Sequence, residues 1–135
     1  MDSRRQLLWT ETFPVRWGEM DALGHVNNAV YFRYLEQARI SWLDHVGASG
    51  AVPGQGPVIA HVGCDFRKPI RYPETLDVCV FLEKVGRTSI TLQCEIRSRS
   101  EASKIYAAAR VVVVWVDFTA DTPVPLPRML ASLSA

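Results

Sequence analysis

Apolar residues keep two different periods along the chain, and the change between them locates one long helix among strands. Trp9, Phe13, Val15 and Trp17 are spaced as a short strand ending at Gly18. Pro14 places that strand at an edge or a bulge, because proline has no N–H to give to a ladder. From Asn28 the spacing is helical: Tyr31, Tyr34, Leu35, Ala38 and Trp42 fall at i, i+3, i+4, i+7 and i+11, and Leu43 and Val46 widen the stripe. Asn27 or Asn28 can cap the start by accepting hydrogen bonds from unpaired backbone N–H groups. Gly47 stands where a left-handed C-terminal cap is wanted.

Glycines and prolines from Ala48 to Pro57 predict a loop, and everything after it reads as strand. Val58, Ala60, Val62, Cys64 and Phe66 alternate with polar residues, and Leu76, Val78, Val80 and Leu82 do so again after a Tyr72-Pro73-Glu74 turn. Gly86-Arg87 marks a reversal. Ile90, Leu92, Cys94 and Ile96 then face one way, while Ser89, Thr91, Gln93, Glu95 and Arg97 face the other, towards water or a partner. The run from Ile105 to Phe118 is apolar at nearly every position, as expected of a strand covered on both faces, by the helix and by a second subunit. Pro123, Pro125 and Pro127 break the sheet before a short terminal segment, Met129 to Ala135. Tight turns join antiparallel strands, whereas parallel ones need long crossovers. The expectation is an α+β fold in which a five-stranded antiparallel sheet wraps around one long helix.

At 135 residues the chain suits one domain spanning 1–135. A hydrophobic share of 48%, a charged share of 21% and a net charge of +1 give no bulk signal for nucleic acid or membrane. Met1 to Trp9 carries Arg4 and Arg5 but no apolar run that could form a signal-peptide core. No segment approaches the roughly 20 apolar residues of a spanning helix, so a cytoplasmic protein is expected. Cys64, Cys79 and Cys94 are odd in number and lack C-x-x-C spacing, so they read as small buried apolar residues. His45 and His61 have no carboxylate or cysteine at metal spacing, and no metal site is expected.

Chemistry concentrates between the first strand and the helix, in Trp17-Gly18-Glu19-Met20-Asp21-Ala22-Leu23-Gly24-His25-Val26-Asn27-Asn28. Unpaired N–H groups and partial positive charge at the helix start can stabilise an oxyanion developing on a thioester or other carbonyl. Asp21 can supply the nucleophile or general base. The same residues, Asp21 and Asn28, are also good local caps, and spacing alone leaves both readings open. Arg67, Lys68 and Arg71 cluster near the Tyr72-Pro73 turn and Arg87 sits in another turn. They can meet phosphates or simply face solvent.

The stretch R-W-G-E-M-D-A-L-G-H-V-N-N-A-V-Y-F-R-Y-L-E-Q-A-R, Arg16 to Arg39, resembles the signature of the 4-hydroxybenzoyl-CoA thioesterase-like hotdog family, in its acyl-CoA thioesterase branch. C-D-F-R-K-P-I-R-Y-P-E-T-L, Cys64 to Leu76, is similar to that family's second strand and turn. The resemblance implies a hotdog fold and a homodimer whose sheets join into one larger sheet, often paired again into a tetramer, with active sites at the subunit interface. Carried over by position, the catalytic carboxylate falls on Asp21 and the polarising backbone N–H near Asn28. His25, Asn27 and Tyr31 then border the site, and Arg67, Lys68 and Arg87 are expected to contact coenzyme A. The implied reaction is hydrolysis of an acyl-CoA to free acid and CoA, with CoA part of the substrate and no separate cofactor.

Glu19 stands where many relatives have Asp, and the Asn27-Asn28 pair replaces the aromatic residues of the hydroxybenzoyl-specific branch. A fatty or branched acyl group is therefore expected. His25 follows Asp21 at i+4, and hotdog hydratases use an Asp and a His close together. An acyl-thioester hydratase or dehydratase is thus an alternative reading, as is a non-catalytic acyl-CoA binding protein.

Overall fold

A computed structural model describes residues 5–133, so Met1–Arg4 of the N-terminal stretch and the last two residues of the terminal segment lie outside the described residues. Strand β1 (Gln6–Pro14) leads through a 3₁₀ turn (Trp17–Glu19) to helix α1 (Asn28–His45). Strands β2 (Gln55–Phe66), β3 (Thr75–Val85), β4 (Ser89–Ser98), β5 (Ile105–Asp117) and β6 (Thr122–Pro123) follow, then a short helix α2 (Arg128–Ala131). The sheet runs β1-β3-β4-β5-β2 with every pair antiparallel. Short turns join β3 to β4 and β4 to β5. By contrast, β2 lies at the far edge from β1, so residues 67–74 must cross the end of the sheet to reach β3. This is the hotdog fold, with one helix wrapped by one sheet. No helix among the described residues is long and apolar enough to cross a membrane.

Of the expected helical stripe, Tyr31, Tyr34, Leu35, Ala38, Trp42 and Leu43 are buried against the sheet, Val46 is half-buried, and Val30 joins them at the helix start. Against them lie the inward residues of β3 (Val78, Val80, Leu82), of β4 (Ile90, Leu92, Cys94, Ile96) and of β5 (Val111, Val113, Trp115). Each fully buried aliphatic or aromatic side chain contributes about 1.5–3 kcal/mol relative to exposure, so this one layer supplies most of the driving force. Ala38 keeps the helix close to the sheet. Cys79 and Cys94 are buried and Cys64 half-buried, all with free thiols. Burial pushes the Cys94 thiol up to about 12.

Four expectations need correction or refinement. The first strand stops at Pro14 instead of continuing to Trp17: Val15 N–H makes one last bond to the Glu74 carbonyl (2.8 Å), and Glu19 N–H then donates to the Arg16 carbonyl (2.9 Å), closing a 3₁₀ turn. Trp17 is 70% exposed in the 3₁₀ turn. The sheet has six strands, not five. Asp117 Oδ1 accepts from Thr119 N (2.8 Å) and Ala120 N (3.1 Å), turning the chain so that the two residues of β6 pair back on β5 before the prolines end the sheet.

The outer face of β4 is not open either: Thr91 and Glu95 are only 6% and 9% exposed. Arg97 and Arg5 both bind the Glu95 carboxylate, and the Arg5 guanidinium lies 4.0 Å from the Phe81 ring centroid, roofing that face. Burial disfavours the Glu95 charge, but the bonds from Arg97 and Arg5 outweigh it and hold the carboxyl below its ordinary range. Finally, β5 is covered by the chain on its helix side only. On the other side Val112, Val114 and Val116 are half-buried, and Arg110 is exposed and paired with Glu83 at 3.0 Å.

Candidate active site

The polar loop between the 3₁₀ turn and α1 is a tight hairpin closed by a bridge between Met20 and Val26. Asp21 N–H donates to the His25 carbonyl (2.9 Å) and Gly24 N–H to the Asp21 carbonyl (3.1 Å). Gly24 turns at φ +85°, a left-handed conformation that a side chain at this position would strain. Asp21 Oδ1 accepts from Leu23 N (2.9 Å), which orients the half-buried carboxylate. Among the described residues, its second oxygen has no partner.

The helix start settles which asparagine caps. Asn27 has extended backbone angles, its Oδ1 accepts from Ala29 N (2.9 Å) and its carbonyl accepts from Val30 N (2.9 Å). Asn28 is therefore the first helical residue, and among the described residues its N–H has no intramolecular acceptor. That N–H is the donor a helix start leaves over.

The crossing segment forms the opposite wall. Val26 N–H donates to the Ile70 carbonyl (2.8 Å), and the buried Tyr31 hydroxyl donates to the Lys68 carbonyl (3.3 Å). Arg67 N and Lys68 N both donate to the Tyr106 carbonyl at 2.8 and 3.1 Å, tying the wall to β5. The Tyr106 hydroxyl in turn bonds the Glu74 carboxylate. Phe66 closes the wall with its ring centroid 5.0 Å from that of Tyr31. Burial raises the Tyr31 phenol above its ordinary range, so it stays a donor.

The expected site residues divide between two hollows on either side of the helix start. One, of 180 Å³, is lined by His25, Asn28, Tyr31, Phe66, Arg67 and Lys68. The other, of 330 Å³, is lined by Glu19, Asp21, Asn27 and Arg33 among others. Arg87 reaches neither: it sits in the β3–β4 turn at the far end of the sheet, its carbonyl accepting from Leu126 N (3.0 Å). A larger groove of 460 Å³ involves Arg5, Asp65, Arg67, Glu95 and Arg110 and contains none of the loop residues.

Two contributors escape sequence reading, and the partners of a third do. Arg33 joins the Asp21 hollow because it lies one turn beyond Val30 on the helix, a spacing that gives some signal. Phe66 reads as one more alternating strand residue. Glu19 is visible as a carboxylate of the loop and as a departure from relatives, but its partners are not: its Oε1 accepts from Arg16 N (2.7 Å) and from the Tyr34 hydroxyl (2.8 Å). The available signal is Tyr34 itself, since a tyrosine on a buried stripe needs an acceptor for its hydroxyl.

Residues 15–133 match the family model described as the thioesterase-like superfamily. The chain belongs to this superfamily. Among solved structures it is similar to the PA2801 protein from Pseudomonas aeruginosa, a candidate thioesterase, at 34% identity and TM-score 0.86, covering 90% of this chain and 94% of that one. It is also similar to a candidate acyl-CoA thioesterase from Xanthomonas campestris, XC229, at 33% identity and TM-score 0.76, covering 90% of this chain and 100% of that one. The YsmA protein of Bacillus subtilis is 33% identical over 78 residues, which are 58% of this chain and 53% of YsmA. The match thus spans about half the length of that curated relative. Within the matched residues, the Asp21 hairpin holds an oriented carboxylate and the helix start an unpaired backbone N–H among the described residues.

Proposed function

We propose that the protein hydrolyses an acyl-CoA thioester to a free acid and CoA. The observation that carries this reading is the unspent Asn28 N–H at the helix start, separated from the anchored Asp21 carboxylate only by a short hairpin. A thioester laid across that helix start would present its carbonyl oxygen to the Asn28 N–H, with the helix dipole adding to the field on the developing oxyanion. Asp21 then acts in one of two ways. As general base it removes a proton from water while the water oxygen attacks the carbonyl carbon and the CoA thiolate departs. As nucleophile it attacks that carbon itself, giving a mixed anhydride that water opens.

His25, Asn27 and Tyr31 border the acyl thioester in this reading, and Arg67 and Lys68 meet CoA phosphates. A homodimer, paired further into a tetramer in related arrangements, would complete the site. The free edge of β2 supports it: Val58, Val62 and Phe66 are 44%, 40% and 41% exposed there, and an unpaired apolar edge strand is a ready pairing surface. Antiparallel pairing of two such edges would also carry the partner's far sheet end, with its own copy of the β3–β4 turn, towards this site, a route by which Arg87 could serve CoA. A fatty or branched acyl group and a cytoplasmic setting remain part of the proposal.

Hydration would need the Asp21 and His25 side chains on adjacent acyl carbons, whereas hydrolysis needs only Asp21 and the helix-start N–H on one carbonyl, so the two readings part at His25. The test is free-thiol release from short, medium, long and aromatic acyl-CoAs, comparing the wild type with Asp21→Asn. Release that Asp21→Asn abolishes with folding intact is the expected result. Release that survives it would move the carboxylate elsewhere, and no release from any substrate would sink the hydrolytic reading.

A further inference from the structure

We propose that Glu19 and Tyr34 form a clamp that positions Asp21 relative to the Asn28 N–H, making Glu19 a positioning residue whose side-chain length matters and whose charge does not. The proposal rests on the hydrolytic reading above for its catalytic consequence, while the clamp itself stands on geometry. Glu19 is tied to three separate pieces of chain. Its Oε1 accepts from Arg16 N at the exit of β1 (2.7 Å) and from the Tyr34 hydroxyl on α1 (2.8 Å). Its carbonyl accepts from Asn27 N, at the helix cap (3.1 Å).

Tyr34 cannot swing away to relax these bonds. It is 4% exposed, and its ring packs on Phe13 with centroids 5.5 Å apart. Burial and the neighbouring Glu19 raise the phenol well above its ordinary range, so the hydroxyl donates at every working pH. The base of the Asp21 hairpin is therefore pinned to the helix that carries Asn28. Only Met20 stands between Glu19 and Asp21, and Met20 is itself bridged to Val26.

The requirement is for reach. An aspartate is one carbon–carbon bond, about 1.5 Å, shorter, so from the same backbone position it falls short of the Arg16 N–H and the Tyr34 hydroxyl where they stand in this chain. A glutamine keeps both the length and an acceptor oxygen. Misplacement of about 1 Å can cost up to about 100-fold in rate without removing any reacting group.

The experiment compares wild type, Glu19→Asp, Glu19→Gln and Tyr34→Phe by steady-state thiol release, thermal unfolding and amide exchange over residues 16–27. Glu19→Asp and Tyr34→Phe should lose about tenfold or more in kcat with KM little changed, at a temperature where both remain folded, and their hairpin amides should exchange faster. Glu19→Gln should recover most of kcat and the slow exchange. A fall in melting temperature with kcat intact in Tyr34→Phe would reduce the pair to a fold contact and overturn the proposal. So would Glu19→Gln falling as far as Glu19→Asp, which would make charge the requirement. If the wild type releases no thiol, the hydrolytic reading fails, and exchange alone decides the clamp: unchanged protection in Tyr34→Phe overturns it.

Discussion

The two hollows beside the helix start are built from the same short stretch of chain but are equipped in opposite ways. One holds carboxylates, Glu19 and Asp21, with Arg33 at its border. The other holds the Asn28 end of the helix, a histidine, two aromatic rings and the backbone-anchored Arg67-Lys68 pair. A carboxylate and an unpaired backbone N–H donor thus lie in hollows beside one cap, Asn27. The proposed hydrolysis therefore asks the substrate carbonyl to sit at the helix start, where the Asn28 N–H and the Asp21 carboxylate can both reach it.

The largest effect should come from the carboxylate side. Asp21→Asn keeps the Oδ1 that accepts from Leu23 N, so the hairpin should hold while kcat falls by about 10²–10⁴, the usual contribution of a positioned acid or base. His25→Ala on the other side should cost less than tenfold in kcat. Equal losses in the two variants would break the comparison, because they would make Asp21 and His25 one acid–base pair acting on the same thioester.

Next in size is the basic wall. Replacing Arg67 and Lys68 together by alanine should raise KM for acyl-CoA several-fold with kcat unchanged, and the difference should shrink as salt screens exposed charges over the ~8–10 Å Debye length. A short acyl thioester lacking the CoA nucleotide should be blind to the double change. An equal rise in KM for both substrates would mean that these residues shape the acyl pocket instead. Arg87→Ala adds a sharper arm, since within one chain Arg87 lies outside both hollows. A matching KM effect from it would require the partner's copy to reach this site.

Elements were legible from sequence where one local period decided them. Tyr31, Tyr34, Leu35, Ala38 and Trp42 keep helical spacing and are all buried, and the alternating runs became β2, β3 and β4. The misreadings lie where a distant partner overrides local pattern. Trp17 continues an apolar alternation, but Glu19, held by the Tyr34 hydroxyl 15 positions on, accepts from Arg16 N and the turn leaves the indole in water. Glu95 reads as an outward strand residue, yet Arg5, 90 positions away, closes over it with no local signal to announce the contact. The site divides the same way. Asp21 and the helix start follow from the motif, whereas the split into two hollows depends on where the 67–74 crossing lies, and that is set by the strand order.

The smallest effect tests the divider itself. Asn27 and Asn28 are adjacent and identical in type, and sequence allowed either to cap; the structure gives them different work. Asn27→Ala removes the acceptor for Ala29 N and should cost about 1 kcal/mol of stability in denaturant melts, as loss of a helix N-cap does. Asn28→Ala should cost no more than a few tenths of that, because its side chain caps nothing and alanine is a good first-turn residue. Activity should separate them less than stability, since the polarising group proposed at Asn28 is its backbone N–H, which alanine retains. A large loss of kcat in Asn28→Ala at unchanged stability would place the side-chain amide in the reaction, joining the two hollows through a group the backbone reading leaves idle.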